Sequence, residues 1–358
     1  MKNWEEFFKL KKLLFMLPVL ILGLILVGCG ASGSSSSSSG SASGSKGTIT
    51  MVWYPNESAS NFDSARGAIL KAISKATGKK VIEKTTTDYS IAVQAIASGD
   101  AQLSFLGGEG YVEAHKKNPA ILPLVTNSGP SGTLKDALYN SWLAVNKSDA
   151  SKYQVNGKYS IDGIAGKAMS FVSTSSTSGF AVPSTNIVAH FSQQAKYKNL
   201  TTADLQEGGK FFSKVMFGSS HQGSAVNLLT GRSQVAAFCD TCVNDYVSLA
   251  SGTANTPGAV YQVNKGAAAP FNALAGKEFT VIQNTPVLNG PIAANTKTLS
   301  KKDQKAIIKY LTSDTVTNDP GIFSAPDAKN AGLFVKDGKA RLLAVKDSFY
   351  DPIRKLSE

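Results

Sequence analysis

Clustered hydroxyl side chains are the first feature of this sequence that points to chemistry. Residues 173–180 read STSSTSGF and lie between a strand-like apolar segment, residues 168–172, and a helical pattern. Hydroxyls and unpaired backbone amides at the start of a helix favour an oxyanion, because the amides point outward and the helix dipole attracts negative charge. A helix cap with a polar loop has the same pattern, so this segment alone does not decide between the two interpretations.

A second polar segment repeats the arrangement. Residues 218–223 read GSSHQG, again after a strand-like segment and before a helical one. His221, one of three histidines, could donate a hydrogen bond to an anion oxygen, although an isolated histidine is more often a surface or packing residue. Its place beside a second helix start favours the binding interpretation.

Two cysteines, Cys239 and Cys242, have the spacing C-x-x-C. Outside the cell such a pair can be oxidised, and a disulfide closing a short loop is the simplest interpretation, although spacing alone does not fix the redox state. A thioredoxin-like redox motif would follow an early strand, whereas this pair lies deep in the chain. A zinc site would need a second C-x-x-C or paired histidines, and neither follows.

The elements that must position these residues alternate between strands and helices. A strand at residues 49–53 precedes a helix at about residues 62–77, and a glycine-rich turn at residues 107–111 opens a later helix. Further along the chain, the pattern predicts a strand at residues 279–282, a turn at residues 286–291 and a helix capped by Ser300. We expect an α/β fold with mostly parallel sheets, in which ligands lie beyond the carboxyl ends of the strands.

The length of 358 residues favours two lobes, because single hydrophobic cores rarely grow much larger. We assign residues 48–140 and 287–358 to lobe 1 and residues 141–286 to lobe 2. The crossings near residues 140–147 and Pro286 would form a hinge, as in a clamshell that closes on its ligand.

The N-terminus has the features of a lipoprotein signal. Lysines precede 15 apolar residues, 13–27, a run too short to span a membrane comfortably. The following LVGC resembles the lipobox of bacterial lipoproteins, so we expect residues 1–28 to be a signal peptide and Cys29 the acylated residue; an uncleaved membrane helix is the alternative. Residues 29–47 are rich in Ser and Gly and predict a flexible tether. A tethered lipoprotein on the outer face of the cell membrane suits a monoderm bacterium.

The formal net charge is +12, and it would be +10 without residues 1–28, which carry four lysines and two glutamates. A basic surface can steer anions toward a cleft. The lysines are scattered, without a long run and without interleaved aromatic residues, which argues against a nucleic-acid partner. We expect a monomer that needs no cofactor or metal.

Taken together, several segments resemble the phosphonate-binding (PhnD-like) family, whose members serve phosphate, phosphite and phosphonate ABC importers. The resemblance extends over nearly all of residues 48–355. The segments that carry it are TDY at 87–89, AIASGD at 95–100, FLG at 105–107, STSG at 176–179, SH at 220–221, TPVLNGP at 285–291 and FYDPIR at 349–354.

This resemblance implies a type II periplasmic-binding-protein fold, a small anionic ligand, and a permease and an ATPase as partners. It also implies the ligand site. Residues Ser176, Thr177 and Ser178 would cradle the phospho group, His221 would donate to it, and Tyr111 and Tyr54 would form pocket walls or donors.

One departure bears on the ligand. Family members that take aminoethylphosphonate hold its ammonium with two carboxylates, and Gly290 stands at one of those positions. The other carboxylate would be Asp240 if the register holds. We therefore favour phosphate, phosphite or a phosphonate with a small uncharged tail, although an amine-bearing ligand stays open.

Three rival functions are weighed against this one. A hydrolase could combine Ser178, His221 and Asp240, but the Gly-x-Ser-x-Gly nucleophile motif is absent from the sequence. The same fold could bind a sulfonate or a pyrimidine precursor instead. A surface adhesin or sensor could retain the fold without transport.

Overall fold

The computed structural model describes residues 47–57, 62–325, 328 and 331–356. These described residues all belong to one compact unit. The predicted signal peptide, the lipidated Cys29 and the tether up to residue 46 lie outside the described residues. Within the described residues, no helix combines the length and the apolar character needed to cross a membrane.

The strands and helices follow in chain order. The strands are β1 (Thr48–Trp53), β2 (Lys80–Thr85), β3 (Leu103–Phe105), β4 (Ile121–Asn127), β5 (Leu138–Asn146), β6 (Gln154–Val155), β7 (Lys158–Tyr159), β8 (Ala168–Phe171), β9 (Lys214–Phe217), β10 (Val235–Cys239), β11 (Val247–Ser251), β12 (Val260–Val263), β13 (Glu278–Leu288), β14 (Pro291–Asn295), β15 (Phe323–Ser324), β16 (Phe334–Val335) and β17 (Leu342–Ala344). The α-helices are α1 (Asp63–Thr77), α2 (Tyr89–Ser98), α3 (Gly108–Lys117), α4 (Val182–Phe191), α5 (His221–Leu229), α6 (Lys301–Leu311), α7 (Asp314–Thr317) and α8 (Asp351–Arg354).

Two large sheets organise these elements. One has the order β17-β4-β14-β3-β1-β2, and the other has the order β11-β12-β13-β5-β10-β8-β9. We call them sheet A and sheet B. Sheet A is covered on both faces: on β1, Met51 packs into one hydrophobic cluster and Val52 into another. Burial on both faces explains why β1 is almost continuously apolar.

Most predicted elements are confirmed, with small shifts at their ends. The first helix ends at Gly78, whose φ of 68° is the left-handed conformation that glycine adopts without strain. The hydroxyl of Ser300 caps α6 by accepting a hydrogen bond from the Asp303 amide at 3.1 Å. Local signals of this kind need no tertiary contact, which is why the sequence shows them.

The prediction of mostly parallel sheets is wrong. Strands β1, β2 and β3 pair in parallel, as do β8, β9 and β10. The remaining pairs of the two sheets are antiparallel, because β14 and β17 return against β3 and β4, and β11, β12 and β13 run back and forth beside β5.

The predicted turn at residues 286–291 begins later than expected, because Pro286 still belongs to β13 and lies opposite Asn140 of β5. The amide and the carbonyl of Asn140 bond to Asp240 on the other side of the strand. Pro286 therefore occupies a position of the ladder where no N–H is needed, which is where a strand tolerates proline.

A half-buried amide–carboxylate cluster joins β5 to both of its neighbours. The backbone amide of Asn140 donates to Asp240 Oδ1 at 2.9 Å, and its side-chain amide donates to Asp240 Oδ2 at 2.7 Å. Asn284 of β13 donates in turn to Asn140 Oδ1 at 3.0 Å. Burial raises the pKa of Asp240, although these hydrogen bonds from Asn140 oppose the shift.

Replacing Asn140 with alanine should lower the free energy of unfolding by about 1–3 kcal/mol, because it removes the side-chain donor of the half-buried Asp240 Oδ2. Urea denaturation measures this change. Asn199→Ala is the matched control, since Asn199 is exposed, and its effect should stay within about 0.5 kcal/mol. Equal effects of the two substitutions would show that the cluster adds nothing to stability.

Candidate functional site

A cavity of about 330 Å³ lies between elements of the two sheets. From the side of sheet A its wall includes Tyr54, Asn56 and Gly107. From the side of sheet B it includes Ser176 and Thr177. A volume of this size holds a small ligand, and ligand sites in α/β folds commonly lie where two such halves face each other.

The hydroxyl-rich segment forms the polar wall of this cavity. It follows β8 and leads through a π-helical turn, Thr177–Ala181, into α4. Ser176 caps the turn by accepting a hydrogen bond from the Gly179 amide at 3.1 Å. Only glycine fits at 179, because a Cβ there would lie 2.4 Å from Val172 Cβ. Gly179 and the capping hydroxyl of Ser176 are therefore local requirements of this wall.

His221 sits behind Ser176 and is almost completely buried. Its Nδ1 accepts a hydrogen bond from the Cys239 amide at 3.0 Å. A neutral imidazole that accepts through Nδ1 must carry its proton on Nε2. Since Nε2 lies 3.4 Å from Ser176 Oγ, the ring donates toward the serine.

This arrangement fixes the direction in which the hydroxyls point. Ser176 Oγ faces two donors, Gly179 N–H and His221 Nε2–H, so its own hydrogen must point elsewhere. Thr177 Oγ1 accepts a hydrogen bond from the Glu109 amide at 2.8 Å, which leaves its hydrogen to donate as well. Two hydroxyls of the cavity wall thus become donors that suit an acceptor such as an anion oxygen.

Burial also decides the charge of the imidazole. It lowers the pKa of His221 to about 3, so the ring is neutral at physiological pH. Burial acts in the opposite direction on the acids of the wall and raises the pKa of Glu57 to about 8. It also raises the pKa of Tyr139 to about 12, although the hydroxyls of Ser178 and Thr177 oppose that shift. The phenol of Tyr139 is therefore neutral where it lies beside Ser178 and Thr177.

The structure brings together four of the residues that the sequence analysis selected. Tyr54, Ser176 and Thr177 line the cavity, and His221 supports Ser176 from behind. Ser178 is buried one residue further on, where its carbonyl accepts from Ser141 Oγ at 2.7 Å.

Two selected residues lie away from the cavity wall. Tyr111 faces the other side of α3, where its hydroxyl donates to Asp347 and its ring packs on Tyr350. The carboxylate of Asp240 accepts hydrogen bonds from the amides of Asn140 and Thr241. Neither residue is among those that line the cavity.

Two residues that the sequence analysis did not select join the site. Asn56 Oδ1 accepts a hydrogen bond from the His221 amide at 3.1 Å, and its side-chain amide donates to Tyr89 at 2.6 Å. Gln222 lines the cavity and donates to the Cys242 carbonyl at 3.0 Å. Asn56 lies in a single 3-10 turn just after β1, and Gln222 stands next to His221. The role of Asn56 depends on its contact with His221, which is 165 residues away in the sequence.

A disulfide joins Cys239 and Cys242 at the end of β10. Their sulfur atoms and a ring nitrogen of His221 lie within 4.8 Å of one another. While the disulfide is formed, neither sulfur offers the thiolate that a metal ion needs.

Comparison with known proteins adds the family. Residues 51–348 match the family model described as ABC transporter, phosphonate, periplasmic substrate-binding protein. This chain belongs to that family. The match covers both sheets and the whole hydroxyl-rich wall.

A curated relative is similar over part of its length. The phosphate-import protein PhnD of Mycolicibacterium smegmatis is 27% identical over 198 residues, which is 55% of this chain and 56% of that protein. The matched segment therefore spans little more than half of the relative.

Solved structures share the fold at low sequence identity. The binding-protein component of an ABC phosphonate transporter from Pseudomonas aeruginosa is 18% identical, with a TM-score of 0.60 over 87% of this chain and 86% of that one. PhnD1 from Prochlorococcus marinus, solved with methylphosphonate, is 16% identical, with a TM-score of 0.59 over 87% of this chain and 97% of that one. The predicted periplasmic-binding-protein fold is confirmed.

The buried neutral imidazole should make stability fall as the pH drops from about 6.5 toward 3. In that range the unfolded chain binds a proton on His221 and the folded chain does not, so acid favours unfolding. Between pH 7 and pH 4.5 this group should contribute a loss of roughly 2–3 kcal/mol. Urea denaturation of the native protein and of the His221→Gln variant at both pH values isolates the contribution of His221. Parallel losses in the two proteins would contradict the neutral, buried imidazole.

Proposed function

We propose that this protein is the extracytoplasmic solute-binding component of an ABC importer and that it captures a phosphorus oxyanion in the cavity between its two sheets. Phosphate, phosphite and a phosphonate with a small uncharged tail are the favoured ligands. The observation that carries the proposal is that Ser176 Oγ and Thr177 Oγ1 each lie opposite N–H donors, which turns both hydroxyl hydrogens away from those donors.

Neutral donors suit this task. Within the described part of the chain, no lysine, arginine or histidine side chain lines the cavity. A buried cation would be costly while the site is empty, whereas hydroxyl and phenol groups can donate to an anion without that penalty. Hydrogen bonds to a charged acceptor are also stronger than those between neutral groups.

The position of Gly290 supports a ligand without an amine. A Cβ at residue 290 would lie 1.9 Å from the Leu106 carbonyl oxygen, so no acidic side chain fits there unless the backbone moves. Asp240, which would be the other such position if the register holds, is bonded to Asn140. Glu57, Asp245 and Asp337 do line the cavity, so an amine-bearing ligand belongs among the probes.

We further propose that residues 48–140 with 287–358, and residues 141–286, act as two lobes that close about β5 and β13. These strands pair along most of their length and lead from sheet B toward sheet A. The bond from the His221 amide to Asn56 and the bond from the Glu109 amide to Thr177 span the cleft, as expected of a closed form. The closed form would be delivered to the permease and its ATPase by a monomer anchored through Cys29.

We infer that the protein is not a hydrolase. In a Ser-His-acid triad the imidazole donates from one nitrogen to the acid and accepts from the serine through the other. His221 has the opposite polarity, because its Nδ1 accepts from the Cys239 amide and its Nε2 donates toward Ser176. Asp240 is bonded to Asn140 instead of to the imidazole.

Isothermal titration calorimetry of the chain from Gly44 onward, freed of ligand by unfolding and refolding, tests the proposed function. The probes are phosphate, phosphite, methylphosphonate, aminoethylphosphonate and sulfate. We expect tight binding of a phosphorus oxyanion and weaker binding of sulfate. If a native refolded protein binds none of the phosphorus compounds but binds a sulfonate or a pyrimidine precursor, the alternative ligand class is correct.

Ser176→Ala and Thr177→Ala should each weaken binding of the best probe by about 1–3 kcal/mol, because each removes one hydrogen-bond donor to a charged ligand. Thr174→Ala is the matched control, since Thr174 is exposed in the same loop and does not line the cavity. Unchanged affinity in both cavity variants would refute the site.

A further inference from the structure

The short loop closed by the disulfide touches the first two residues of α5. At one end, the Cys239 amide donates to His221 Nδ1 at 3.0 Å. At the other end, the Cys242 carbonyl accepts from the Gln222 side chain at 3.0 Å. Thr241 and Cys242 also form part of the cavity wall.

The first of these contacts fixes the tautomer of the imidazole. With the Cys239 amide in place, the proton of His221 stays on Nε2 and points toward Ser176. Without that amide, the proton could move to Nδ1, and Nε2 would then accept from the Ser176 hydroxyl. The hydroxyl would turn its hydrogen toward the ring, and the cavity would lose a donor.

The disulfide restrains both contacts. It holds the Cα atoms of the two cysteines 5.4 Å apart, within the narrow range that a disulfide allows. Two thiols impose no such limit, so reduction frees the Cys242 end of the loop to move relative to Cys239, the last residue of β10. This movement would take the Cys242 carbonyl away from Gln222 and would remove the restraint on the strand end whose amide bonds to His221.

We propose that Cys239 and Cys242 are positioning residues for the ligand site, and that their disulfide keeps His221 in the tautomer and Gln222 in the orientation that binding requires. This inference rests on the proposed function. Reduction by dithiothreitol breaks the S–S bond; each sulfur receives one proton and one electron, and dithiothreitol becomes its cyclic disulfide. The reduced protein then binds the oxyanion more weakly.

The test compares four samples of the chain from Gly44 onward: oxidised, reduced with dithiothreitol, and Cys239→Ala/Cys242→Ala with and without dithiothreitol. All contain EDTA, because the freed thiols and His221 could otherwise bind a trace metal ion. Calorimetry measures the affinity for phosphate and methylphosphonate. Long-range ¹H–¹⁵N NMR of the imidazole nitrogens reports the tautomer of His221, with His115 and His190 as internal references, and circular dichroism reports the fold.

We expect the reduced protein and the double variant to bind the probes about tenfold more weakly, the equivalent of one lost hydrogen bond. The proton of His221 should become shared between Nε2 and Nδ1 in both. Dithiothreitol should have no effect on the double variant, which is the matched control for the reagent.

Unchanged affinity and an unchanged tautomer in fully reduced protein would overturn the proposal. Loss of the fold on reduction would overturn it as well, because the disulfide would then serve stability and not positioning. If the oxidised protein binds neither probe, the proposed function has failed for these ligands. The tautomer comparison then still decides whether the disulfide positions His221.

Discussion

The hydrogen bond from the Cys239 amide to His221 Nδ1 sets the polarity of the whole site. It places the imidazole proton on Nε2, which in turn makes the Ser176 hydroxyl a donor. Burial keeps the ring neutral at physiological pH, so Nδ1 of His221 stays an acceptor and Nε2 stays a donor. A low-dielectric surrounding strengthens each hydrogen bond in such a chain and makes an unpaired polar group costly. The site is therefore a directional network with its donors aimed at one region of the cavity.

The two sheets matter to this network because each supplies part of it. Sheet B carries the hydroxyl wall and His221, while the segments after β1 and β3 carry Asn56 and the Glu109 amide that complete it. Contacts across the cleft are therefore also contacts within the site. A ligand that filled the cavity would face both halves, and differential contact of this kind is what allows a ligand to shift an equilibrium between open and closed forms.

The local parts of this structure could be predicted from the sequence. The hydroxyl cluster before α4 follows short-range rules, and the alternation of strands and helices follows from apolar spacing. The partners of Asn56 and Gln222 could not be predicted, because they depend on how distant segments meet. Tyr111 shows the same limit, since its partner Asp347 lies 236 residues away and nothing near residue 111 indicates which side of α3 it faces.

The strand directions of both sheets also needed tertiary information. Apolar spacing shows that a segment is a strand but not which neighbour it pairs with, so the antiparallel returns of β14 and β17 were not visible in the sequence. The turn predicted to begin at Pro286 begins later for a related reason. Proline signals a turn in most contexts, but here its missing N–H falls at a ladder position that requires none.

The tight packing at Gly290 restricts how ligand preference can change in this protein. Because the Leu106 carbonyl occupies the space of a side chain, a single substitution at residue 290 cannot introduce a charge into the cavity without displacing the backbone that leads into α3. A designer seeking a sensor for a different solute would therefore begin with Glu57 or Asp245, whose side chains already reach the wall.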